Sequence, residues 1–119
     1  MVLPQNYNAL FAEAEQLQLY KKLVLQLNKD LLYANVDLEF DEEVLPSSLK
    51  FILHEKVYNL IQLKFADYLN LLYIIDVSEE KIKSLNGDDT IQLAEDVSFL
   101  ILQREWQKVW FKNKYKSYL

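Results

Sequence analysis

Cysteine is missing from this chain altogether, which excludes disulfides, thiolate metal sites and a cysteine nucleophile. Glycine occurs once, at Gly87, too few for a glycine-rich phosphate cradle or a dinucleotide-binding fingerprint. The two prolines, Pro4 and Pro46, leave most of the chain without a helix breaker. One histidine, His54, is too few for a paired Glu-x-x-His metal site, and Phe51 stands at the position where such a pair needs its glutamate. No serine stands in a nucleophile motif. No uncharged apolar run reaches 18 residues, and the start of the chain has neither the basic region nor the apolar run of a signal peptide. These absences point to a non-enzymatic, cytoplasmic protein, with no cofactor, no metal, no membrane partner and no evident small-molecule site.

What the chain has instead is leucine, 23 of 119 residues, with little valine. That composition favours helix over sheet, and the length suits a single helical domain over 1–119. The predicted fold is all-α: a compact bundle of three long helices and one short helix around a central helix over 46–76.

That central stretch opens on Pro46, tolerated in a first helical turn, and runs without glycine or proline to Asp76. Leu53, Val57, Leu60, Ile61, Phe65, Tyr68, Leu71, Leu72 and Ile75 share one broad face at 3- and 4-residue spacing. A straight helix of that length would measure roughly 45 Å, so it must span the molecule or bend within it. Before it, a first helix is predicted from an Asn6 or Asn8 cap to about Asn28, with Leu10, Leu17, Tyr20, Val24 and Leu27 as its stripe.

Between the two lies an extended acidic segment near 35–43, where Val36, Leu38 and Phe40 alternate with Asp37, Glu39 and Asp41. It reads as an extended loop pressed on the helices, a strand paired with a second copy, or a helix. Asp37-x-Glu39-x-Asp41 lacks the turn glycine and closing glutamate of a calcium loop. After the central helix, Asp76-Val-Ser-Glu79 has a capping-box pattern opening a short helix that Asn86-Gly87 would stop in a left-handed turn. Asp88 or Asp89 then caps a last helix from Thr90 to about Tyr115.

Charge is distributed unevenly. Residues 1–103 sum to −9 and residues 104–119 to +4, giving the net −5. The last helix also turns its apolar face. Ala94, Val97, Leu100 and Ile101 share one side, which continues as the cations Arg104, Lys108, Lys112 and Lys116. Phe99, Leu102, Trp106, Val109 and Trp110 lie roughly opposite. A helix on one core does not do this, so its second half either sits between two packing surfaces or meets a partner. The expected function is a protein-interaction module, self-associating as a homodimer through Phe99, Leu102, Trp106, Val109 and Trp110. Two alternatives stand beside it. An immunity- or antitoxin-like acidic protein could bind a basic protein partner, and the Arg104/Lys108/Lys112/Lys116 stripe with its aromatics could bind nucleic acid.

Overall fold

In the computed structural model, which describes residues 1–116, the chain forms six helices: α1 (Tyr7–Gln16), α2 (Tyr20–Tyr33), α3 (Pro46–Leu63), α4 (Phe65–Ile75), α5 (Glu79–Lys83) and α6 (Thr90–Lys116). No strand occurs among the described residues. The last three residues of the expected 1–119 domain lie outside them.

The predicted bundle of three long helices and one short one is corrected at two breaks. The first helix stops at Gln16 and restarts at Tyr20, with Gln18 in the left-handed region (φ 59°). Leu10, Phe11 and Ala14 are the buried apolar residues of α1; Leu23, Val24, Leu27 and Leu31 are those of α2. On one continuous helix these two sets would point about 140° apart. The break lets both face the same core, and it puts Leu17, expected in the stripe, into solvent while Leu19 is buried.

The second break falls at Lys64 (φ −143°, ψ 62°), between α3 and α4. Here no phase change forces it, since Leu49, Leu53, Val57 and Leu60 lie on nearly the same side as Tyr68, Leu71, Leu72 and Ile75. Size does. The one long axis of a molecule of 42 × 27 × 25 Å falls short of the roughly 45 Å of an unbroken 46–76 helix. That axis suits α6, whose 27 residues make a rod of about 40 Å. Phe65, expected mid-face on the core, is exposed beside the break.

The organising element is therefore α6 rather than the 46–76 stretch. It packs against α1, α2, α3 and α4. Ala94, Val97, Ser98, Ile101, Leu102, Gln103, Glu105, Trp106 and Val109 are all buried along it. Asp89 caps its start, accepting from the N–H groups of Ile91 and Gln92. Ahead of it, Asp76 ends α4 in the left-handed region (φ 68°) and Ser78, not Asp76, caps α5. Gly87 has no positive φ, so the predicted left-handed stop is absent there.

Residues 35–45 form neither helix nor strand. Val36 and Phe40 are buried while Asp37, Glu39 and Asp41 are exposed. The Asn28 amide holds this stretch to α2 from both sides: its Nδ2 donates to the Phe40 carbonyl (2.9 Å) and its Oδ1 accepts from the Phe40 N–H (2.8 Å). Tyr20 donates to the Val44 carbonyl (2.6 Å) and Lys21 pairs with Glu43 (2.8 Å).

Candidate functional site

Helix α6 carries every side chain singled out as a site, from Phe99 to Lys116, and the structure separates them. Leu102, Trp106 and Val109 are core. Trp106 is fully buried, and its indole N–H donates to Glu13 of α1 (2.9 Å). These three are thus unavailable to a second chain, which corrects their assignment to an interface. The second half of α6 meets α1 through Trp106 and Glu13, and α2 through Lys108 with Asp30 and Lys112 with Gln26. Phe99 is half-buried in an edge contact with Tyr7 at 5.2 Å between ring centres. Trp110 is likewise half-buried, packed against the core on one side and in edge contact with Phe111. Phe111 in turn stacks on the exposed ring of Tyr115, and Lys114 lies 4.9 Å over the Trp110 ring.

The cation row divides as well. Arg104 reaches back to the joint between α4 and α5, donating to the Asp76 carbonyl (3.1 Å) and carboxylate (3.2 Å) and to Gln107 (3.1 Å). Lys108 turns inward between Asp30 (2.8 Å) and Glu105 (3.2 Å). Only Lys112 and Lys116 remain beside the α2 surface, so the four cations do not form one phosphate-binding stripe.

Around Lys108 lies the most unusual chemistry of the molecule. Glu105 is fully buried, and neither carboxyl oxygen meets a donor in hydrogen-bonding geometry. Burial pushes its carboxyl up to about 9, and the adjacent Asp30 carboxylate adds to this against the opposing pull of Lys108. Burial also raises Asp30, but the neighbouring Glu105 carboxyl, the Lys108 ammonium and the Gln26 amide outweigh it and hold Asp30 below its ordinary value. The two carboxyls thus split their roles. Burial favours the protonated form of Glu105, whereas the Lys108 ammonium favours an ionised Asp30.

From Asp30 the polar chain continues outward through Gln26, which donates to Asp30 (3.3 Å) and accepts from Lys112 (2.6 Å). Lys112 opens onto a cleft of about 280 Å³ where α2 and α6 run antiparallel, lined by Lys22, Leu25, Gln26, Lys29, Val109, Lys112, Asn113 and Lys116. Lys22, Lys29 and Leu25 escaped the sequence reading because they lie some 85 residues from Lys112. The one available signal was their 3- and 4-residue spacing on α2.

A larger groove of about 690 Å³ lies between α4 and α5, lined by Leu69, Leu72, Tyr73, Val77 and Ile82. Its rim mixes Asp76 and Glu79 with Lys83, so no single charge dominates it. His54 sits half-buried with one hydrogen bond, to the Ile91 carbonyl (3.0 Å). Among the described residues no group of three or more metal-binding side chains converges, and no helix is long and apolar enough to cross a membrane. Comparison of the chain with protein-family models, curated proteins and solved structures finds no match.

Proposed function

We propose that this chain is a non-enzymatic, cytoplasmic protein-interaction module that pairs with a second copy of itself through the outer face of the C-terminal half of α6. The observation that carries the reading is the aromatic ladder Trp110–Phe111–Tyr115 under Lys114, with ring centres 5.1 and 5.9 Å apart. On the helix these residues lie on the arc turned away from Glu105, Val109 and Lys112, which face α2. Rings of this size bury on the order of 200 Å² each when covered, and aromatic anchors edged by cations are typical of interface hot spots. A second copy supplies the same ladder, so a two-fold pairing of the two α6 ends doubles the aromatic area with no other partner.

The test is the association state by light scattering after size exclusion. Wild type is expected to dimerise, and Trp110→Glu with Tyr115→Glu to be a monomer of native helicity. A wild type that stays monomeric at every concentration, or a variant that stays dimeric, removes the reading.

A second reading rests on the acidic edge. The Asn28 clasp holds Asp37, Glu39 and Asp41 outward on a fixed backbone, a surface suited to a basic protein partner. It requires no dimer, and its binding should weaken steeply with salt.

A further inference from the structure

The cleft between α2 and α6 lies on the other side of α6 from the aromatic ladder and does not depend on it. Four of its eight lining residues are lysines, Lys22, Lys29, Lys112 and Lys116, in a chain whose net charge is −5. None of the four has a carboxylate within ion-pair distance among the described residues, although Lys21, Lys50, Arg104 and Lys108 all do. Lys112 instead donates to the Gln26 amide oxygen, and Lys29 stands 5.9 Å from the centre of the Tyr33 ring. Converging four cations on one cleft, with no paired carboxylate among the described residues, raises the free energy of the empty state and favours an anion that enters.

The floor is different in kind. Val109 is buried, Leu25 is half-exposed across from it, and the lysine stems extend the apolar surface upward. Among the described residues no aromatic side chain lines the cleft, so none of them offers a ring on which a nucleobase would stack. Its volume is at the small end for a ligand site. Cations at the rim above an aliphatic floor match an anionic head on a short alkyl chain.

We infer that the α2–α6 cleft binds a small amphiphilic anion, its carboxylate or phosphate held by Lys22, Lys29, Lys112 and Lys116 and its alkyl chain laid on Leu25 and Val109. Gln26 positions Lys112 and is itself fixed by Asp30, so the lysine nearest the core is held in place before a ligand arrives. The carboxylate and phosphate heads share one chemistry, and the arms of the experiment separate them.

The experiment is a titration of the full chain with octanoate and octyl phosphate, read by methyl and amide nuclear magnetic resonance shifts. Octanol and inorganic phosphate serve as probes of each half alone. Saturable shifts at Leu25, Val109 and Lys112 are expected, with at least one alkyl anion bound about tenfold or more tighter than octanol and inorganic phosphate. Lys29→Gln with Lys112→Gln should weaken binding by about tenfold or more while circular dichroism stays native. Leu25→Ser, a change at a half-exposed position, should weaken the alkyl anions and leave inorganic phosphate unaffected.

Several results would overturn the site. One is octanol binding as tightly as octanoate, or inorganic phosphate binding as tightly as octyl phosphate. The shifts must not fall on Leu69, Val77 and Ile82 instead, and a short oligonucleotide must not displace octyl phosphate at lower concentration. The same titration on Trp110→Glu with Tyr115→Glu should give the wild-type result, so a failed dimer and a failed cleft are read separately.

Discussion

If Glu105 is protonated in the folded protein, stability must depend on pH where few other groups titrate. In the unfolded chain a glutamate has a pKa near 4.3, whereas burial and the Asp30 charge push the folded value up to about 9. Between those values the folded state holds a proton that the unfolded state has released. Stability therefore falls as pH rises through that window and levels off above it. The slope is at most about 1.4 kcal/mol per pH unit, so from pH 6 to pH 8 wild type should lose up to about 3 kcal/mol. Asp30 does not confuse the reading. Its folded value is depressed, so its contribution is fully present above its unfolded pKa and is lost only as pH falls into the acid range. Glu105→Gln keeps the side-chain shape and a donor for Asp30 but cannot ionise. Urea unfolding at pH 6 and pH 8, followed by far-ultraviolet circular dichroism at one fixed protein concentration, compares the two. The variant should match wild type within about 1 kcal/mol at pH 6 and exceed it by about 2–3 kcal/mol at pH 8. Parallel pH profiles would mean that Glu105 is ionised in the core and that the assignment of the proton is wrong.

Four further outcomes follow from the same packing. Lys108→Met should cost about 3 kcal/mol by equilibrium unfolding, because it leaves the ionised Asp30 buried without its cation. Trp106→Ala should cost about 3–5 kcal/mol, since a fully buried indole leaves a cavity and abandons Glu13. Leu60→Ala should cost about 2–5 kcal/mol while Phe65→Ala, beside the Lys64 break, costs under about 1 kcal/mol; equal losses would mean that the break is absent. Gln18→Val should lower stability by about 1–2 kcal/mol, as a β-branched side chain is strained at φ 59°, and a neutral result would place Gln18 in a right-handed conformation.

The helical class, the limits of α6 and the caps, narrowed to Asn6 or Asn8 and to Asp88 or Asp89, were legible because each rests on neighbours a few residues apart; the structure uses Asn6 and Asp89. Fold organisation was not, and the two breaks show why. The one at Gln18 has a signal: the apolar phase of 10–14 disagrees with that of 23–31, and a break reconciles them. The one at Lys64 has none, because phase is continuous across it and Leu63-Lys64-Phe65 contains no breaker. An unbroken 46–76 helix of roughly 45 Å would overrun the 42 Å length of the molecule, a property of the assembled fold. The aromatic stripe was seen but misplaced. Spacing puts Trp106 and Trp110 on neighbouring positions of one helix, yet it cannot tell which of them α1 will cover. Glu105 was passed over as the one acid in a basic tail, although its position beside Leu102, Trp106 and Val109 marked it as buried.

The asymmetry between an acidic body and a basic end now has a structural account, and it bears on both proposals. Had all five cations of residues 104–116 paired inward, the end of α6 would be electrically bland. Arg104 and Lys108 do so, one tying the α4–α5 joint through Asp76 and the other balancing Asp30. Beyond Lys108, α2 offers α6 no carboxylate: its positions facing the last turns are Gln26, Leu25 and Lys22. Lys112, Lys114 and Lys116 are thus surplus to the fold, and they sit at a helix C-terminus whose dipole favours them only modestly. Lys114 leans on Trp110 toward the aromatic face, while Lys112 and Lys116 turn to the cleft with Lys22 and Lys29. Positive charge is therefore concentrated on two sides of one exposed helix end in an otherwise acidic molecule. That placement orients any anion or acidic surface toward this end before contact, and toward the aromatic ladder or the cleft according to its shape.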